Sequence, residues 1–396
     1  MSLYRLVWGL LVTVGAMCFV GARADVGVAP ALSGVLAARV WTPHPPADDL
    51  VSAQAALRQT APQLQPGAYP EFRTSPRQPV WLALDLAVDP QGGPWVLELT
   101  HPSIRAADLY LSHADGAPVV VRGGRDTPMA ARANARFPAT LALPADTTAS
   151  TVYLRLKGTV PMRGQIRLQS LGEWRSQSRM QLAAMTVCFG VALLAVLYAL
   201  GRAWHLRSRA YARYAALGLS IAATGVFISG YGETWLWPWV ADWRGPIASA
   251  IACVSAGLAL LLAECAFALE VRAPRFALLL RVMGVLCPLA GVLGLGFDLA
   301  VHQMLSHGAA AAAIGMSLCS FWFAWRTENR AAVWLLLGFV PVSLGVGVTT
   351  LAVAGIIPFT PWVLMAMPLG SALEVPFNLY GLHLLEQRRA LVLRSR

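Results

Sequence analysis

Two hydrophobic periods divide the chain near Arg179. Upstream, from Val80 to Ser170, apolar and polar residues alternate with a period of two, as half-buried strands do. In the run Val80 to Val88, Trp81, Ala83, Asp85 and Ala87 alternate with an unbroken aliphatic face. Similar short runs occupy 95–100, 107–112, 119–122, 139–143, 151–157 and 165–170. Turn formers separate them: Asp89-Pro90-Gln91-Gly92-Gly93-Pro94, Asp115-Gly116, Gly123-Gly124 and Pro144-Ala145-Asp146. Seven short strands at this spacing predict an all-β antiparallel sandwich. Ahead of them, the proline-rich stretch 43–79 holds one predicted helix, Asp48 to Gln59, with acids at its start where the helix dipole favours them.

Downstream of Met180 the pattern changes to long apolar spans, near 181–201, 214–230, 247–270, 282–297, 303–325, 332–354 and 362–385. Each crosses, or nearly crosses, a hydrocarbon core about 30 Å thick at about 1.5 Å per helical residue. The expected architecture is therefore an exported sandwich followed by an all-α bundle of seven transmembrane helices. The charges orient it. Of the fourteen arginines from Arg202 to the C-terminus, thirteen fall on one side of the bundle and only Arg244 on the other. For short loops this is a strong positive-inside bias, which places the start of the first span outside and the C-terminus in the cytoplasm.

The N-terminus agrees with that orientation. Met1 to Arg5 is a basic start, Leu6 to Val20 an apolar core, and Ala22-Arg23-Ala24 a small-x-small cleavage site. The expected division is a signal peptide over 1–24, a periplasmic domain over 25–178, a seven-helix domain over 179–385 and a cytoplasmic helical stub over 386–396. An uncleaved eighth span is the competing reading of the N-terminus. The net charge of +11 follows from topology, since 25–179 holds fifteen basic and twelve acidic residues. That balance gives no footprint for nucleic acid. All six cysteines lie in apolar segments, so the exported domain must fold without disulfides.

Several chemistries are excluded or weak. A retinal Schiff base needs a lysine in the last span, and the only lysine is Lys157 in the strand region. Gly218-Leu219-Ser220 is a three-residue match to an intramembrane protease and lacks a deep histidine partner. His302 and His307, five apart, do not share a helix face, so no metal site is expected. No catalytic motif and no cofactor-binding motif stands out, and the chain is not expected to be an enzyme.

The intramembrane acids are the sharper candidates. Glu264 in the third span and Glu374 in the seventh each need a partner or a proton, because a carboxylate in hydrocarbon costs on the order of 3 kcal/mol. Ser371, Glu374 and Asn378 are spaced by three and four and share a face, and Pro376 among them invites a kink. These residues are candidates for a signal relay, with an interhelical packing contact as the alternative. Trp235, Trp237, Trp239 and Trp243 read first as an interfacial aromatic belt. On the exported strands, Trp81, Trp95, Tyr110, Tyr153 and Arg155 are candidates for a ligand face, although aromatics on strands are more often cross-strand pairs.

Particular strings then carry a resemblance. Val80-Trp81-Leu82-Ala83-Leu84, Trp95-Val96-Leu97-Glu98-Leu99, Asp108-Leu109-Tyr110-Leu111 and Val152-Tyr153-Leu154-Arg155-Leu156 belong to the strand region. Gly230-Tyr231-Gly232, Leu236-Trp237-Pro238, Leu369-Gly370-Ser371-Ala372-Leu373-Glu374 and the basic pair Arg388-Arg389 belong to the helical half. Together they resemble the bacterial seven-transmembrane receptors with diverse intracellular signalling modules, with the second type of extracellular domain of that family. The resemblance implies a jelly-roll-like domain that senses a periplasmic ligand, carbohydrate among the candidates, on a seven-helix unit in the inner membrane. It also implies a cytoplasmic histidine kinase or diguanylate cyclase module as output. No such module is recognisable in these residues, so the expected output partner is a separate protein or domain. The run after His383 holds good helix formers without proline or glycine, predicting a last helix that continues past the membrane and could begin a homodimer seam. A transporter, a membrane enzyme with an accessory domain, or a cell-envelope assembly protein remain the other functional classes open to the pattern.

Overall fold

The computed structural model describes residues 35–42, 49–60, 71–74, 78–86, 94–101, 103–111, 118–124, 126–127, 139–144, 151–158, 161–229, 232, 243–267, 269–325 and 330–394. The expected signal segment, the Asp89 and Asp115 turns and Trp235, Trp237 and Trp239 lie outside the described residues.

Strand follows strand through the first part of the chain: β1 (Val35–Trp41), β2 (Glu71–Thr74), β3 (Val80–Leu86), β4 (Trp95–Leu99), β5 (Ile104–Leu111), β6 (Val119–Gly123), β7 (Ala139–Ala142), β8 (Thr151–Gly158) and β9 (Met162–Ser170). Between β1 and β2 lies α1 (Leu50–Gln59), capped by the Asp49 carboxylate, which accepts from the Ser52 amide at 2.9 Å. The strands form two antiparallel sheets, β1-β3-β8-β5-β6 and β2-β9-β4-β7. Their pairing has a simple logic. β2 pairs with β9, β3 with β8, β4 with β7 and β5 with β6. This is one long hairpin folded over on itself, and the contacts β4–β9 and β5–β8 close it into an eight-stranded jelly roll. β1 adds an edge beside β3.

Alternation in sequence becomes layering in space. Val80, Leu82 and Leu84 of β3 meet Leu97 and Leu99 of β4, Leu109 of β5, Leu154 and Leu156 of β8 and Ile166 of β9 between the sheets. The opposite face of β3 is buried as well, because Ala53 and Leu57 of α1 cover Trp81 and Ala83. The strand therefore carries buried side chains on both faces. Two strands, β1 and β2, exceed the seven read from the sequence. Both are edge strands, and β2 is only four residues long, too short for a period to register.

Seven long helices follow: α2 (Leu171–Leu206), α3 (Arg209–Ser229), α4 (Arg244–Ala266), α6 (Pro274–Gly294), α7 (Leu299–Trp325), α8 (Arg330–Val353) and α9 (Pro361–Arg394), with the short α5 (Leu269–Arg272) after α4. Among the described residues, five of them, α2, α3, α4, α6 and α8, are long and apolar enough to cross a membrane. Helix boundaries differ from the hydropathy spans at several ends, among them that of the fourth span, where α6 begins at Pro274 rather than 282. α2 begins at Leu171, inside the interval assigned to the sandwich, and the third span ends at Ala266 rather than running on to 270. The bundle packs through small residues. A side chain at Gly345 or Gly370 would run into the backbone of the facing helix, at Ala366 and Pro341 respectively, so α8 and α9 approach closely. The last helix is continuous for 34 residues, about 50 Å, despite Pro368 and Pro376.

Candidate functional site

The five-stranded sheet turns its outer face away from the jelly-roll core, and register puts the chemistry of three strands side by side. Trp81 on β3 sits opposite Arg155 on β8, which in turn sits opposite Asp108 on β5. Tyr110 and Tyr153 are paired next along the same strands. The Arg155 guanidinium lies over the Trp81 ring at 5.8 Å and donates to Asp108 at 3.2 Å. Trp81 and Tyr110 have ring centroids 5.5 Å apart. Four of the five aromatic and basic candidates are thus one cluster. Trp95 is elsewhere, on β4 in the other sheet and packed toward the interior. Trp81 is fully buried under α1, so the accessible part of the cluster is half-buried Tyr110, Asp108 and the exposed Arg122 beside it.

The second sheet faces the helices, and it is tied to them at two places. The first is β9, whose last residue, Ser170, is the N-cap of α2. No linker separates strand from helix. Ser170 and Glu173 form a reciprocal capping box, the Glu173 amide donating to the Ser170 hydroxyl at 3.2 Å and the Ser170 amide to the Glu173 carboxylate at 3.2 Å. The Leu171 amide donates to the Pro94 carbonyl at 2.8 Å, so the end of β9 stays in the sheet as the helix begins. Behind this joint lies a buried polar group. Glu98 on β4 is opposite Arg167 on β9, accepts from Gln169 at 3.2 Å and lies against Trp174 of α2. Burial pushes the Glu98 carboxyl above the ordinary carboxylate range, against the opposing charge of Arg167.

The second tie comes from the α8–α9 loop. Phe359 pairs with Gly164 as a short parallel bridge, and its amide donates to the Arg163 carbonyl at 2.8 Å. The Thr100 hydroxyl donates to the Phe359 carbonyl, and the His101 ring meets the Phe359 ring at 5.2 Å. Arg163 reaches the Ile356 carbonyl at 3.4 Å. The loop therefore behaves as an added segment of the sheet, fixed by backbone hydrogen bonds rather than by side-chain contact alone.

Within the bundle, the two acids have different surroundings. Glu264 on α4 accepts from Arg213 of α3 at 2.9 Å and from Arg281 of α6 at 2.8 Å. It clamps three helices at the end of the bundle far from the jelly roll, and two of the arginines read as topology signals are its partners. Glu374 on α9 is 1% exposed, and the Asn378 amide donates to it at 3.2 Å. The Asn378 side-chain oxygen and the Ser371 hydroxyl have no partner among the described residues. Asn378 itself presses against Gly338 of α8, where any side chain would collide with it. Ser371, Glu374, Pro376 and Asn378 are all buried. The two acids do not hydrogen-bond each other, each being engaged by its own partners.

Further along α9, Glu386 accepts from Ser208 in the α2–α3 turn and lies 3.6 Å from Arg389. Neither this contact nor the Phe359 dock carries a periodic or motif signal. Both depend on residues more than 150 positions apart in sequence. Finally, a cavity opens between α3, α4, α7, α8 and α9 at the end nearest the jelly roll, with Ser103 at its rim.

Comparison with protein families matches residues 181–383 to the model described as 7TM diverse intracellular signalling. Residues 46–170 match the second extracellular domain of the same receptor group. No curated protein and no solved structure matches the chain.

Proposed function

Since the chain belongs to the 7TM diverse intracellular signalling family and carries its second extracellular domain, we propose that it is a receptor whose jelly roll binds a periplasmic ligand and whose seventh helix relays that event to a cytoplasmic histidine kinase or diguanylate cyclase. The family is a sensory receptor type, embedded in the membrane with its N-terminal domain outside. The inner membrane of a bacterium and a cytoplasmic C-terminus complete the reading, on the strength of the arginine asymmetry.

One observation carries the relay: the jelly roll holds both ends of the bundle's chain order. β9 runs straight into the first long helix, and the same strand holds the loop that precedes the last one. A ligand that favours one arrangement of the sheets shifts α2 and α9 relative to each other, which is a two-state change biased from outside. Carbohydrate is the ligand class that suits the outer face best. Tyr110 offers a ring for stacking, while Asp108 and Arg122 offer the acceptor and donor that sugar hydroxyls need.

The test uses the full chain in lipid nanodiscs with its output module, read as autophosphorylation or cyclic dinucleotide synthesis. Glycan array screening supplies the ligand. Thr100→Val combined with Phe359→Pro removes the hydroxyl, the ring and the backbone N–H that make the dock, while leaving the outer face intact. Binding should be retained and the output response lost. A full response from the undocked receptor overturns the relay, and failure of any glycan to bind overturns the ligand class.

A further inference from the structure

The outer half of the helix bundle is hollow. Its cavity, about 170 Å³, extends along α4 from Gly245 to Ala259, on the order of 20 Å by helical rise, and ends near Phe339 of α8 and Met367 of α9. No Asp, Glu, Lys or Arg contributes to the wall. The wall is chiefly aliphatic, with hydroxyls and the side chains of Gln303 and His307 set into it.

The hydroxyls are not equivalent to free alcohols. Thr224 donates to the Ser220 carbonyl at 2.9 Å, Ser255 to the Ile251 carbonyl at 3.0 Å, Ser306 to the Gln303 carbonyl at 2.9 Å and Thr349 to the Gly345 carbonyl at 2.9 Å. In these four the own-helix carbonyl takes the proton, with Ser255 also 3.0 Å from the Ser220 hydroxyl, and each oxygen is left as an acceptor. These oxygens match a guest that brings its own proton. The wall also disfavours an ion, because a charge entering here would lose water and find no counter-charge.

We propose that this cavity is a ligand site in the bundle, separate from the jelly-roll face, for a small uncharged molecule with an apolar body and at least one O–H or N–H donor. An apolar cavity of about 150 Å³ is known to take benzene, which sets the body at the size of a substituted benzene ring. Occupancy would be felt at both ends of the receptor. Ser103 at the mouth belongs to the turn that starts at Thr100 and His101, the residues that grip Phe359. Phe339 at the floor follows Gly338, against which Asn378 packs. The site therefore lies between the dock and the polar face of α9. It requires no assumption about what the jelly roll binds.

The probes are para-ethylphenol and ethylbenzene, which share a body and differ in the donor. With the full chain in nanodiscs, para-ethylphenol should bind saturably, above its partition into empty nanodiscs, and about fivefold or more tighter than ethylbenzene, the difference one hydrogen bond makes. Thr349→Val, which keeps the side-chain shape and removes the acceptor, should weaken para-ethylphenol about fivefold and leave ethylbenzene unchanged. Ala252→Phe should fill the space and abolish binding of both. Should that variant fail to fold, the Thr349→Val pair decides alone. Equal affinity for the two probes, or para-ethylphenol affinity unchanged in both variants, overturns the proposal. So does a co-purified lipid that both probes displace equally, which would assign the cavity to an acyl chain. The readout is binding, so its failure is distinct from a failure of the relay.

Discussion

Three buried carboxylates, Glu98, Glu264 and Glu374, are held in three different ways, and each predicts a different response to substitution. Glu264 is matched by Arg213 and Arg281, both only partly buried. Glu264→Gln should lower the thermal stability of the detergent-solubilised chain, by on the order of 3 kcal/mol, because it leaves two arginines facing a neutral amide. A melting temperature equal to wild type would mean that solvent and, for Arg281, the neighbouring Glu270 already satisfy both cations. Glu98 responds to pH instead. Its folded pKa lies above the ordinary carboxylate value of 4.5, so between that value and the raised one the native state binds a proton that the unfolded state releases. Its contribution to stability is full below 4.5 and is lost as pH rises through the raised value. Denaturation of wild type and Glu98→Gln at matched pH isolates this part: the gap between the two curves should move in that direction, and a gap independent of pH would rule it out.

At the level of elements, α9 holds the greatest concentration of unusual choices. Ser371, Glu374 and Asn378 share one buried face of a helix in an apolar bundle, where polar groups are costly and biased toward function. The unpartnered Asn378 oxygen and Ser371 hydroxyl leave room for a second hydrogen-bond pattern. Pro376 removes a backbone donor within the same stretch. Glu374→Gln or Pro376→Ala should therefore change the receptor's signalling output while membrane insertion and ligand binding remain. Unchanged signalling in both variants, at normal expression, would leave these residues as packing contacts. Below this layer α9 stays helical to Arg394, with Glu386 held by Ser208, so any rotation at Pro376 is carried to the end of the helix.

For the molecule as a whole, orientation is the measurable quantity. Reporter fusions after Arg209, Arg275 and Arg396 should report cytoplasm, and insertions at Asp115 or within 235–243 should report periplasm. The basis is the arginine distribution, although the arginines do not all act as free topology signals. Arg213 and Arg281 are committed to Glu264, which leaves a smaller set to interact with the membrane surface. Periplasmic activity from the Arg396 fusion would contradict an even alternation of seven spans.

Period and charge were enough to locate the strand region, the long helices and the helix after Asp49, because each follows from neighbours in sequence. Alternation along 80–88 foretold a two-faced strand, and spacing by three and four put Ser371, Glu374 and Asn378 on one face of α9. Family-specific strings added the jelly roll, and the strand pairing has that topology. Other features depend on distance in space alone. Spacing singled out Asn378 as a neighbour of Glu374, but nothing local marked the two arginines that meet Glu264. Nor does a pattern of alternating residues say that Trp81 will lie beneath a helix while Tyr110 remains half-exposed. The Phe359 dock rests largely on backbone groups, which every residue carries and which leave no mark in composition. The hollow in the bundle is the clearest case. It exists where five helices fail to fill the space between them, and that volume is a property of their packing, not of any one segment.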